Sequence, residues 1–319
     1  MKKIRIAVIG TGYLGKYHVE KYAQLSEADL IAVCDIDTEH SRDLAEKYHV
    51  KTTTDYHSLI GQVDAVSIVT PTPSHFEIGK FFLENNVHVL MEKPIATTVD
   101  EADILINLAR KNKVVLQVGH LERFNSALKS ILPVLTKPRF IESHRLAPFK
   151  LRGSDVNVVL DLMIHDIDII LSLVKSKITD IRASGASVLT PFIDIANARL
   201  EFENGCVASV TASRVSIVND RRIRIFQNDC YIGLDLDRKK YRIHRKGGEE
   251  MFPGIPNIER EKKQLDKGDA LLEEIESFLS AIINKTEPVV TGEDARDALA
   301  TAMTITQIVH ESDARLKNQ

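Results

Sequence analysis

Short apolar runs alternate with amphipathic segments through the first third of the chain. Ile4-Arg5-Ile6-Ala7-Val8-Ile9, Leu30-Ile31-Ala32-Val33-Cys34, Ala65-Val66-Ser67-Ile68-Val69, Val87-His88-Val89-Leu90-Met91 and Val114-Val115-Leu116-Gln117-Val118 read as buried strands. Helical patterns fill the gaps: Lys16 to Ala23, Thr38 to Tyr48 with Ser41, Leu44, Ala45 and Tyr48 on one stripe, Ser74 to Asn85, and Thr98 to Asn112. Thr98 with Glu101 three residues on is a capping box. Asp55 to Ile60 reads as a short helical turn. Strand–helix alternation of this kind predicts a doubly wound parallel sheet.

After Gly119 the texture changes. Arg123 to Leu135 reads as a helix that stops near Pro133 and Pro138, and Phe140 to Leu146 as a strand. Asp155 to Val174 reads as one long helix with Ile164, Ile167, Leu171 and Val174 as its apolar stripe. From Ile178 to Arg245 the pattern is mostly two-residue alternation, and Asn204-Gly205 between two such runs marks a hairpin. Residues 246–266 are polar with glycines and prolines and read as a surface loop. Leu271 to Asn284 and Ala295 to Glu311 read as closing helices. The expected fold is α/β: a parallel sheet over residues 1–119, then an α+β domain with a large open, mostly antiparallel sheet over residues 120–319.

Composition narrows the function classes. A chain of 319 residues accommodates two domains. Lys+Arg 42 against Asp+Glu 45 gives no basic excess with which to hold nucleic acid or an anionic membrane. Met1-Lys2-Lys3 leads straight into the first strand, and no apolar run approaches the roughly 18 residues of a membrane span, so neither signal peptide nor membrane anchor is expected. Cys34, Cys206 and Cys230 are odd in number and widely spaced. They predict buried thiols in a reducing, cytoplasmic compartment and no metal site.

The chemistry begins at Gly10-Thr11-Gly12-Tyr13-Leu14-Gly15, between the first strand and the first helix. Gly10 permits the tight turn, Gly12 lets backbone approach a pyrophosphate, and Gly15 lets helix pack on strand. The helix start then faces the phosphates. Asp35 ends the second strand, where its carboxylate accepts hydrogen bonds from the adenosine ribose and repels a 2′-phosphate. Ile36 follows, so no adjacent arginine favours that phosphate. The pattern reads as a Rossmann domain binding NAD rather than NADP.

Three further clusters carry candidate chemistry. Thr70-Pro71-Thr72-Pro73-Ser74-His75 and Met91-Glu92-Lys93-Pro94 follow strands, at the ends where open α/β sheets place ligands. Asp161 and His165 are four apart on a predicted helix and share a face, with Asp168 seven after Asp161. A carboxylate beside an imidazole orients the ring and raises its basicity, as a proton acceptor requires. Each cluster alone has an ordinary reading: a solvated lysine, a surface Asp/His pair, a helix-start histidine. Their joint appearance after a dinucleotide loop favours a catalytic site.

With these motifs in place the chain resembles the glucose–fructose oxidoreductase, inositol dehydrogenase and rhizopine catabolism (Gfo/Idh/MocA) family over nearly its whole length. The resemblance rests on the glycine loop, Thr70-Pro71 with His75, Glu92-Lys93-Pro94 and Asp161-Leu162-Met163-Ile164-His165-Asp166. It implies an N-terminal Rossmann domain, a C-terminal domain whose open sheet makes dimers or tetramers, and a late helix near Ala295 to Glu311 packing back on the first domain. It implies that Lys93 orients substrate hydroxyl and nicotinamide, that His165 is the acid/base with Asp161 beside it, and that Thr70, Pro71, His75 and Glu92 line the cofactor. Gly119-His120-Leu121-Glu122-Arg123-Phe124-Asn125 and Asp155 to Asp168 look like the UDP-N-acetylglucosamine 3-dehydrogenase branch, departing from it at Ser126 and Asn157. That branch implies a 3-keto nucleotide sugar as product, ready for a pyridoxal-dependent aminotransferase.

The residues agree in part. A diphosphate-linked sugar needs cationic donors, and Arg123, Arg145, Lys150 and Arg152 lie in the segments concerned. The expected substrate contacts are Lys93, Glu122, Arg123, Arg152, Asp161 and His165. An inositol or free-sugar dehydrogenase and a non-catalytic NAD sensor stay open as alternatives.

Overall fold

The computed structural model describes residues 3–317 apart from Arg152, Ser154, Asp155 and Lys267; for His40 and residues 313–317 it describes the backbone alone. The chain divides into two compact units. One comprises residues 1–124 and 269–299, the other residues 125–268 and 300–319. The division is thus not a single cut near residue 119, because the segment from Asp269 to Leu299 returns to the first unit.

The first unit is built on six parallel strands: β1 (Ile4–Ile9), β2 (Ala28–Cys34), β3 (Lys51–Thr53), β4 (Ala65–Ile68), β5 (His88–Glu92) and β6 (Leu116–Gly119). Their order is β3-β2-β1-β4-β5-β6. Helices α1 (Gly15–Gln24), α2 (Thr38–Tyr48), α3 (His75–Glu84) and α4 (Val99–Asn112) make the crossovers. The predicted capping box at Thr98 and Glu101 is present. The short strand β3, with two exposed residues and no apolar run, is one that periodicity did not reveal. Val19 and Tyr22 of α1, with Ile275, Phe278 and Leu279 of α7 (Ala270–Asn284), cover Ile6, Val8, Val33 and Leu90 of the sheet in one buried cluster. Strand order reverses between β1 and β4, so the loops leaving those strands part and open a crevice.

The second unit has an eight-stranded sheet of order β14-β13-β12-β11-β7-β10-β9-β8. Its strands are β7 (Phe140–Leu146), β8 (Ile178–Ala186), β9 (Ile195–Phe202), β10 (Val207–Ser213), β11 (Asp220–Phe226), β12 (Cys230–Asp235), β13 (Lys240–Phe252) and β14 (Ile255–Gln264). Among the described residues of this unit only β7 and β10 pair in parallel. Alternation sorts the faces: Ile223 and Ile225 are buried while Arg222, Arg224 and Phe226 are exposed. The hairpin at Asn204-Gly205 is present, with Gly205 at φ +82°.

Two expectations are corrected here. Residues 246–266 are not a loop: β13 and β14 form a long hairpin turning at Pro253-Gly254. Most of its residues from Lys246 onward are exposed, so neither face needed the apolar alternation that reveals a half-buried strand. The helix expected over Arg123 to Leu135 is broken into a turn of 3-10 helix (Leu121–Phe124), α5 (Ser126–Ile131) and another 3-10 turn (Leu132–Val134). Asn125 interrupts it, its side chain accepting the Ala127 amide as an N-cap.

Candidate active site and cofactor cradle

The glycine loop leaves β1 and enters α1 at the crevice. Gly10 holds φ +90°, and a Cβ there would sit 2.7 Å from the Val69 carbonyl oxygen. A Cβ on Gly15 would collide with the Gly10 carbonyl oxygen. Both positions therefore require glycine for the loop to fold onto β4 and α1. Gly12 has open space where a Cβ would point. Gly12, Tyr13 and Leu14 are solvent-facing. Thr11 is buried, and its amide and hydroxyl both donate to Asp35 Oδ2, at 2.5 and 2.8 Å. The Asp37 amide donates to Asp35 Oδ1 at 2.9 Å. Asp35 thus ties the glycine loop to the end of β2, and a carboxylate retains lone pairs for a ribose. Open backbone at Gly12, a helix N-terminus behind it and a half-buried carboxylate at the strand end fit an adenine dinucleotide.

The loops after β4 and β5 are joined by His75. The ring is wholly buried, with Nε2 2.8 Å from the Thr70 carbonyl and Nδ1 2.9 Å from the Pro94 carbonyl. Burial pulls its pKa below the usual imidazole value, against the two carbonyls. A neutral ring donates to one of them. His75 therefore works as a tie between the two loops. Thr70 Oγ1 accepts from Ser74 Oγ at 2.8 Å, and Pro71 caps the 3-10 turn Thr72–Ser74 in an exposed position.

Glu92 ends β5. Its carboxylate lies against Gly119 of β6, where a Cβ would come within 3.1 Å. Glu92 Oε1 is 3.2 Å from His18 Nε2, His18 Nδ1 is 3.3 Å from Ser67 Oγ, and Ser67 Oγ is 2.8 Å from the Tyr22 hydroxyl. Burial works to raise the Glu92 pKa, but His18 and the neighbouring Lys93 hold it below the ordinary carboxylate value. Lys93 follows, half-buried, before a cis peptide bond to Pro94.

Glu122 and Arg123 lie in the 3-10 turn Leu121–Phe124 of the same unit, both half-buried. Arg123 Nη2 is 3.5 Å from Asp294 Oδ2 at the start of α8 (Gly292–Lys317). Arg152 lies outside the described residues.

Asp161 and His165 belong to the second unit. The long helix expected from Asp155 is instead one π-helical turn, Val159–Met163, running into α6 (Ile164–Val174); Asp155 itself lies outside the described residues. The side chain of Asn157 accepts the Val159 and Leu160 amides, both at 3.0 Å, and so caps the turn. Asp161 sits in the π turn and His165 in the first turn of α6, both half-buried between the buried Met163, Ile164, Asp166 and Ile167. Single π turns recur at functional sites because the extra residue re-aims a side chain. Asp168, further along α6, is buried. Arg145, read as a phosphate donor, is buried in an ion pair with Asp166, Nε to Oδ2 at 2.5 Å, and Asp166 also accepts Ser143 Oγ at 2.7 Å.

Sequence reasoning missed Arg214. Its buried guanidinium donates to the Gly153 carbonyl at 2.6 Å and to the Val156 carbonyl, with Nε 3.6 Å from Asp194 Oδ1. Gly153 in turn backs onto Asp161: a Cβ there would sit 3.0 Å from Oδ2. His18, Tyr22 and Ser67 were missed as well. The signals were a His and a Tyr four apart on the buried stripe of α1 and a lone serine in an apolar strand.

Comparison with known proteins places the fold in a family. Residues 4–120 match the model of an oxidoreductase family with an NAD-binding Rossmann fold, and residues 141–230 match the GFO/IDH/MocA C-terminal domain. UDP-N-acetylglucosamine 3-dehydrogenase from Acidithiobacillus ferrooxidans is 39% identical over 306 residues, covering 96% of this chain and 97% of its own. A solved structure of that enzyme superposes with TM-score 0.90 at 37% identity, covering 97% of this chain and 98% of its own. Myo-inositol 2-dehydrogenase from Thermotoga maritima is 27% identical, covering 93% of each chain. Scyllo-inositol dehydrogenase from Lactobacillus casei, solved with NAD(H) and scyllo-inositol, shares the fold at TM-score 0.82 and 19% identity, covering 98% of each chain. The chain belongs to the Gfo/Idh/MocA family and is an NAD-dependent oxidoreductase.

Proposed function

We propose that this dehydrogenase oxidises the 3-hydroxyl of a UDP-N-acetylhexosamine to the 3-keto sugar. The observation that carries the reading is the near full-length match, at 39% identity, to a UDP-N-acetylglucosamine 3-dehydrogenase. Bound NAD supplies the hydride acceptor. Gly10, Thr11, Gly12, Tyr13, Leu14 and Gly15 cradle its pyrophosphate, Asp35 takes the ribose, and Thr70, Pro71 and Glu92 border it, with His75 holding their loops together. Lys93 donates to the substrate oxygen and stabilises the charge that develops there. His165 accepts the hydroxyl proton and Asp161 orients the ring. Glu122, Arg123 and Arg152 assist in holding the nucleotide sugar.

A ketone in that position is the substrate form an amino-group transfer requires, so a pathway aminotransferase is the expected consumer. The three free, buried cysteines suit a reducing cytoplasm. Among the described residues no helix is long and apolar enough to cross a membrane. Self-association through the open sheet is supported by its outer face. There Phe140, Phe226, Tyr231 and His244 form a row of rings across four strands, with centroids 5.2 to 5.9 Å apart.

The test is NADH formation with UDP-N-acetylglucosamine, free hexoses and inositols under one set of conditions. Turnover confined to the nucleotide sugar supports the proposal. Preference for an inositol or a free hexose rejects the substrate and keeps the enzyme class.

A further inference from the structure

Glu274 is a carboxyl inside an apolar helix face. It lies on α7 beside Ile275 and one turn before Phe278, and its exposure is 0%. Neither carboxyl oxygen has a hydrogen-bond partner, and Gln117 Oε1 nearby on β6 has none either. The Gln117 amide nitrogen donates to the Glu274 backbone carbonyl at 2.9 Å. Gln117 and Gly119 point to the same face of β6 as Leu90 and Glu92 do of β5, and α1 and α7 cover that face. The partly exposed Glu92 and the buried His18, Ser67, Tyr22, Gln117 and Glu274 therefore form one polar cluster above the apolar core.

An ionised carboxylate with no donor in such a place costs several kcal/mol, and a proton on it removes the charge. The groups on the packed elements give no relief. On α1, Tyr22 is a buried phenol bonded to Ser67, His18 is engaged with Glu92, and Lys21 is paired with Asp269 at 2.8 Å. On β5 the nearest charge is Glu92 itself, of the same sign. In the turn Leu121–Phe124, which packs on α7, Arg123 is engaged by Asp294. Burial and the Glu92 charge both push the Glu274 pKa well above the usual value, in agreement with the geometry.

We infer that Glu274 keeps its proton in the folded protein and serves as a positioning residue, so that the Glu92–Glu274 pair carries a single charge, held on Glu92 toward His18 and Lys93. Two buried carboxyls close together share protons in this way elsewhere, the second staying neutral because the first is ionised. The positioning role rests on Lys93 acting at the substrate hydroxyl; the protonation does not.

The first measurement is on the wild-type protein, by NMR of glutamate labelled with 13C at the carboxyl and assigned with E274Q. One resonance staying at its protonated position through neutral pH is expected, and a Glu274 carboxyl that titrates near pH 4.5 overturns the inference. The second is unfolding against pH. Each pH unit over which only the folded chain holds the proton lowers the wild-type folding constant about tenfold relative to E274Q. Parallel profiles overturn the inference. The third is turnover. As Glu274 ionises at alkaline pH, a second negative charge enters beside Glu92. The ratio of kcat at about pH 9 to kcat at about pH 7 should then be higher in E274Q than in wild type. A proton retained without any change in that ratio overturns the positioning role alone. Near-native turnover in K93M is the separate result that would mark failure of the site reading itself.

Discussion

Glu92 and His18 meet at 3.2 Å inside the first unit, joining the strand that delivers Lys93 to the helix that starts at the glycine loop. The glycine loop and the segment that carries Lys93, the lysine proposed to act on the substrate hydroxyl, are thereby joined through one contact.

That contact has a pH signature. The folded pKa of Glu92 lies below its ordinary 4.5, so its ionised form contributes stability that is fully present above that value. The contribution is lost as pH falls through the folded value. E92Q should flatten the acid limb of the unfolding curve, measured by denaturant titration at a series of pH values. An unchanged acid limb would show that His18 does not hold the carboxylate.

Asp35 ties the glycine loop through Thr11 and is the group expected to meet the ribose. D35A removes hydrogen bonds to a charged acceptor, worth about 1.5–3 kcal/mol. NAD affinity, read by calorimetry, should weaken about tenfold to a hundredfold. NADP should gain relative to NAD, because the repelling charge is gone. Equal loss for both cofactors would place Asp35 in loop support only.

Much of this was legible in the sequence, for physical reasons. Apart from β3, the strands of the first unit are largely buried and read as apolar runs, and the Thr98 box announced its helix by chemistry that acts within one turn. What escaped were features set by distant partners. Nothing local marks Arg214, whose acceptors Gly153 and Val156 lie some 60 residues away. The π turn at Asp161 keeps a helical pattern of apolar residues, so periodicity could not distinguish it. The exposed hairpin of β13 and β14 buries too little to write a two-residue alternation.

Arg214 predicts its own cost. R214A leaves Asp194 in a buried position with its cation removed and frees the Gly153 and Val156 carbonyls. Breaking a buried pair in this way costs about 3–5 kcal/mol. The variant should unfold at clearly lower denaturant and lose turnover through displacement of Asp161. Stability within about 0.5 kcal/mol of wild type, the range of an ordinary surface change, would contradict the clamp.

Cys34 lies at the end of β2 beside Asp35. Burial, reinforced by the Asp35 charge, pushes its thiol up to about 12. The thiolate is the nucleophile, so the group should resist iodoacetamide at neutral pH in the folded protein and react on unfolding. Rapid alkylation of Cys34 in the native state would contradict the burial.

The proton-acceptor and charge-stabilising roles make the sharpest kinetic claim. H165N and K93M should each lower kcat about 10²–10⁴-fold. NAD affinity should stay within about threefold, below the energy of one hydrogen bond. A variant that keeps near-native kcat would remove that residue from the mechanism.

Hydride transfer from C3 of a nucleotide sugar is read directly by isotope transfer. UDP-N-acetylglucosamine deuterated at C3 is incubated with NAD and the enzyme, and the NADH is examined by mass spectrometry. NADH that carries the deuterium is the predicted result. NADH formed without deuterium would place the oxidised carbon elsewhere, and no NADH at all would reject this sugar as the substrate.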